Sequence, residues 1–126
     1  MWLFTTLGYY SITRSRLEPD RYQIRARDRQ HLERLSVHMD LDMMARMSLG
    51  QIIETPSADY RWRIIVDERQ LRAVVEALAR CITYFNFKTE AATTAAADHS
   101  YRAALHDVWA RMNRLQHSTN LETPHA

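Results

Sequence analysis

Hydrophobic and polar positions along the chain follow two periods, and the change between them is sharpest from Asp59 to Ile82. In Tyr60-Arg61-Trp62-Arg63-Ile64-Ile65-Val66 apolar side chains recur at every second residue, which predicts a strand with Tyr60, Trp62, Ile64 and Val66 on one face. Asp67, with Gln70 three residues on, forms a capping box that opens a helix. Leu71, Val74, Val75, Leu78 and Ile82 then line a single helical stripe. Two apolar faces joined by a short turn fold onto each other, so this strand–helix pair is the expected centre of the core.

The same reading extends to the rest of the chain. Residues Trp2 to Thr13 are rich in strand formers, with Gly8 as a kink or bulge between two short runs. Arg14–Asp20 is a polar connection, after which Tyr22, Ile24 and Ala26 alternate with Gln23, Arg25 and Arg27 as a half-buried strand. Asp28 caps a helix whose face is Leu32, Leu35, Ser36 and Met39. The Met-rich stretch Asp40–Leu49 either extends that helix or forms a further turn, and Gly50 stops it. A short strand over Gln51–Thr55 and a turn over Pro56–Asp59 lead into the central strand. Beyond Ile82, Tyr84–Lys88 reads as a short strand or a packed loop, and Glu90–Asp98 as a loop or the lead-in to a last helix. That helix carries a broad stripe of Tyr101, Ala104, Leu105, Val108, Trp109, Met112 and Leu115.

The fold class is therefore α+β. The inner order strand–helix–strand–strand–helix matches a ferredoxin-like split β-α-β sandwich, with an extra N-terminal strand or hairpin and an added C-terminal amphipathic helix. A single domain is expected over 1–116 and a frayed, flexible tail over 117–126. Trp62 and Trp109 sit on apolar stripes and are expected to be buried.

Five phrases resemble a group of small, uncharacterised bacterial single-domain proteins. They are Met-Trp-Leu-Phe-Thr at the start, Arg25-Ala26-Arg27, Asp59-Tyr60-Arg61, Asn86-Phe87-Lys88, and Val108-Trp109 followed by Arg114-Leu115-Gln116. The resemblance implies one complete domain and brings no activity with it.

Composition narrows the function classes. A chain of 126 residues with 46 % hydrophobic content, three Trp, six Tyr and three Phe packs a core rather than remaining disordered. Formal net charge is only +2 and demands no polyanionic partner. The cations are lopsided: of 17 Lys and Arg, only Lys88 is a lysine. Arginine suits bidentate recognition of phosphate or carboxylate, although a coding bias produces the same ratio. Cys81 is the one cysteine, so no internal disulfide or thiolate cluster forms, and beside an apolar stripe it acts as a small hydrophobe. The apolar start lacks a basic leader, is too short to span a bilayer and reads as a strand, so a cytoplasmic protein with no membrane attachment is expected.

The arginine pattern is the sharpest candidate for a binding site. Arg21, Arg25 and Arg27 lie opposite the apolar face of their strand, as do Arg61 and Arg63 on theirs. If those strands are the adjacent central pair, five guanidinium groups share one open face. Like charges across strands cost about a few tenths of a kcal/mol upward unless an anion or carboxylates relieve them; Glu54 offers one carboxylate. Such a face suits an acidic protein or nucleoprotein surface. The alternative is direct binding of DNA or RNA phosphates. The other outward positions hold Gln and Ile65, without the stacking rings that sheet readers of single strands use.

No motif carries catalysis. His31/His38 and His99/His106 are each seven apart, with no thiolate or closely spaced second His to complete a metal site. Lys88 lies among aromatic residues, where a packed stem explains it better than a nucleophile does. With two glycines, at 8 and 50, there is no phosphate loop. The expectation is a non-enzymatic protein with no metal and no cofactor. Met39, Met43, Met44 and Met47 form either loose core filling or an adaptable partner surface. The pattern thus favours a small regulatory or inhibitory protein acting by protein–protein interaction, with self-association left open.

Overall fold

The computed structural model describes residues 1–94 and 98–122, with side chains to 118. The chain divides into two compact units, Met1–Phe85 and Asn86–Ala126. The first unit is an open antiparallel sheet of β1 (Trp2–Phe4), β2 (Tyr9–Arg14), β3 (Tyr22–Ala26), β4 (Ile53–Glu54) and β5 (Trp62–Val66), with α1 (Arg29–Leu41) and α2 (Glu68–Arg80). Strand order is β1-β2-β3-β5-β4. The neighbour of β3 on its outer side is β2, from the N-terminal hairpin, and not a strand following α2.

The period-two segments become strands with a consistent parity. Ile12, Ile24 and Ile64 pair across the three central strands and are buried on the face that α1 and α2 cover. The two helices open as the sequence predicts. Asp28 accepts from the Gln30 amide, and Asp67 and Gln70 form the reciprocal capping box. Leu32, Leu35 and Met39 of α1 and Val74, Ala77 and Leu78 of α2 complete the core. Ala77 takes the place expected of Val75 and Ile82, which are exposed. His31 joins the buried face of α1 beside Leu32, and its Nδ1 accepts the Tyr9 amide at 3.1 Å.

Gly8 sits in the β1–β2 turn, where Thr5 Oγ1 accepts from the Leu7 and Gly8 amides. A β-carbon there would lie 2.5 Å from Cγ of His31, so the position needs glycine for space. The Met-rich stretch does not extend α1. Asp42 turns extended at the helix end and its carboxylate accepts the Met44 and Ala45 amides, a local alternative to the helical ladder.

The second unit holds α3 (Phe87–Thr94) and α4 (His99–Glu122). The aromatic segment is neither strand nor loop to its end, because the Asn86 side chain accepts the Thr89 amide and starts α3 at Phe87. Asp98 does the same for α4 through the Tyr101 amide. The tail expected over 117–126 is helical as far as Glu122, and its last four residues lie outside the described ones. Trp109 is 50 % exposed and Trp62 only partly buried, which corrects the expectation that both are buried. No helix among the described residues is long and apolar enough to cross a membrane.

Candidate binding face

Register alone aligns one row across all five strands on the face away from α1 and α2: Trp2, Ser11, Arg25, Arg63 and Ile53. Arg25 and Arg63 therefore stand directly opposite each other on the two central strands, a register that the shared face expected from the sequence does not specify. The relief of their repulsion is mostly neutral. Arg25 Nη2 donates to Ser11 Oγ at 2.8 Å; Arg63 donates to Gln23 Oε1 at 2.8 Å and to the Tyr60 carbonyl at 3.0 Å. Burial, then the charge of Arg25, lowers the pKa of the Arg63 guanidinium from its ordinary value. The Nε atoms of both arginines are buried without a hydrogen-bond acceptor among the described residues.

Tyr60 is the hub of this face, and here the sequence reading needs correction. The residue precedes β5 and leaves the strand's parity, so its side chain does not join Ile64 and Val66. Its ring lies 4.5 Å from the Arg25 guanidinium carbon and 4.2 Å from that of Arg27. Its hydroxyl meets that of Tyr9 at 2.7 Å. Burial raises both phenols. For Tyr60 this is outweighed by hydrogen bonds with Tyr9 and Ser11 and by the charges of Arg27 and Arg25, so its pKa falls while that of Tyr9 rises. The two hydroxyls share one hydrogen bond, in which either can donate.

Three of the five predicted arginines thus converge: Arg25, Arg27 and Arg63. Arg27 also holds the Asp59 carboxylate at 3.1 Å. Arg61 is turned to the edge strand, where it pairs with Glu54 at 2.8 Å, the carboxylate expected to contribute. Arg21 lies outside β3 in the preceding loop, 3.9 Å from Glu18. The five do not form one array.

The aromatic side chains on this face were missed. Phe4 pairs with Tyr9 in register and stacks on it at 4.5 Å, and Trp2 meets Tyr9 edge-on at 6.3 Å. Trp2 is 69 % exposed. The signal was present, since Tyr9, Ser11 and Thr13 alternate with Tyr10 and Ile12 as regularly as the arginines do with their strands.

Elsewhere in the unit, Cys81 at the end of α2 places its Sγ 3.4 Å from His38 Nε2, and Asp42 binds Arg80 at 3.0 Å. Burial and the Asp42 carboxylate raise the Cys81 thiol against the opposing charge of Arg80. Less thiolate means a weaker nucleophile. Cys81 is expected to alkylate with iodoacetamide more slowly than free cysteine at neutral pH, and Asp42→Asn to speed the reaction; an unchanged rate would remove the carboxylate from the account. In the second unit the Lys88 ammonium stands 4.1 Å over the Trp109 ring, with His106 stacked on the same indole. Comparison of the chain with protein-family models, curated proteins and solved structures finds no match.

Proposed function

We propose that this chain is a non-enzymatic binding module, a small regulatory or inhibitory protein acting in the cytoplasm through protein–protein contact. One observation carries the reading. Leu41, Met43 and Met44, at and just beyond the end of α1, are 73, 72 and 77 % exposed, and the Asp42–Arg80 and His38–Cys81 contacts bring the exposed Ile82 to the same end of the unit. Exposed apolar and adaptable side chains gathered at one end of the unit suit an interaction surface. A neighbouring groove is lined by Met44 and Met47 with Arg69, Arg72 and Arg80 and the carboxylates of Glu68 and Glu76; Arg72 pairs with Glu68 and Arg80 with Asp42, so its charge is mixed and its contribution to a partner is chiefly the methionine surface. The accompanying fold reading is a ferredoxin-like split β-α-β in which β2 takes the place beside β3 otherwise given to a strand after the second helix.

A second reading, DNA or RNA binding, is favoured by the exposed Trp2 ring beside Phe4, Tyr9 and the Arg25/Arg27/Arg63 cluster, a combination suited to unstacked bases. Against it, those guanidinium groups are already held by Ser11, Gln23, Tyr60 and Asp59.

Two surface variants separate the readings. Leu41→Ser with Met44→Ser should abolish a stoichiometric complex recovered from the source cell, and Trp2→Ser with Arg27→Gln should leave it intact. Labelled single strands should bind weakly at physiological salt. Micromolar binding there, with log K falling against log salt at a slope near −0.7 per phosphate neutralised and lost in the Trp2/Arg27 variant, would replace the first reading with the second.

A further inference from the structure

Helices α3 and α4 border an open groove of about 740 Å³ whose described lining comes entirely from the second unit. It exists because facing positions are small: Ala91 and Ala92 on α3 and Ala103 on α4 leave space that larger side chains would fill. Phe87 and Leu105 add to the apolar lining, and its volume falls in the range of small-molecule sites. Charge in the lining is one-sided. Lys88 and Arg102 contribute cations and His99 and His106 imidazoles, against the single carboxylate of Asp107.

Lys88 is the part with the clearest geometry. Its ammonium is stationed over the Trp109 ring, which orders the long side chain and shields one side of the charge from water. A ligand anion would meet a cation already positioned at the groove, with little side-chain entropy left to lose. We propose that this groove binds a small carboxylate with an apolar body, its chain on the Phe87, Ala91 and Leu105 surface and its head group at Lys88 and Arg102. This site does not involve the sheet face or the methionine patch, so it stands or falls separately from them.

Calorimetric titration of the full chain with dodecanoate below its micelle concentration tests the assignment, with dodecanol and acetate as comparisons. Dodecanoate is expected to bind saturably at one site per chain, and acetate not measurably. Dodecanol should bind about tenfold more weakly, the factor expected when a charge-assisted contact is lost. Lys88→Gln and Arg102→Gln, both at exposed or half-exposed positions, should each weaken dodecanoate and leave dodecanol unchanged, with the far-ultraviolet dichroism of the parent. Ala103→Trp, at an exposed lining position, should block both ligands. Absence of saturable binding, equal affinity for acid and alcohol, or indifference to both charge substitutions would overturn the proposal.

Discussion

Tyr60→Ala should destabilise the Met1–Phe85 unit by about 3–5 kcal/mol, the range for truncating a buried aromatic residue. The residue is 4 % exposed, and its ring carries the guanidinium groups of both Arg25 and Arg27. Removing it forfeits two cation–π contacts, each worth about 0.5–2 kcal/mol, and leaves a void beside two like charges. The Tyr9 hydroxyl also loses its hydrogen-bond partner. Tyr60→Phe keeps the ring and should cost about 1 kcal/mol, the net worth of a hydrogen bond. Urea denaturation of the three proteins measures both differences. Equal stability of the alanine and phenylalanine variants would show that the ring does not hold the arginines.

Gly8→Ala is the second substitution with a large expected cost, about 2–3 kcal/mol by the scale of overpacked cores. The added carbon would meet the His31 ring at 2.5 Å, and that ring cannot withdraw without surrendering the Tyr9 amide it accepts. His31 is itself buried on α1, so a shift would propagate into the contact between the hairpin and that helix. Gly50→Ala is the informative comparison. There the added carbon meets open space, and the cost is the backbone's positive φ of 93°, about 1–2 kcal/mol. Thermal or chemical unfolding should rank Gly8→Ala below Gly50→Ala, and the reverse order would mean that the hairpin turn yields more easily than its packing implies.

The parts of the fold legible in the sequence are those where period and capping agree. Asp28 and Asp67 announce α1 and α2, and the alternation through Tyr22–Ala26 and Trp62–Val66 yields both the strands and their central pairing. Parity also places Arg25 and Arg63 on the face away from the core, while their direct pairing is set by the strand register. It failed at Tyr60 because alternation was carried past the end of the strand, into a residue whose backbone no longer follows the pleat. The stripe on α4 shows a different limit. Periodicity identifies which residues share a face, but not whether anything covers it: Tyr101 is buried, while Met112 and Leu115 farther along are 59 and 58 % exposed. Asn86 and Asp98, both good capping residues, could have separated α3 from α4 had they been weighed above the aromatic run between Tyr84 and Lys88. Which arginines converge was not legible, since the Glu18 and Glu54 carboxylates that draw Arg21 and Arg61 away depend on loop and edge geometry.

The two outermost strands are also the shortest, three residues in β1 and two in β4. A sheet border offers unpaired amides and carbonyls along its length, and such borders recruit strands from other chains into ladders, productive or amyloid-like. Here each border ends after a few residues, and the Arg61–Glu54 ion pair puts charge on one of them. The chain is thereby poorly suited to recognition by strand addition. The same short borders offer little backbone for edge-to-edge pairing between copies, whatever the chain's exposed rings and methionines do.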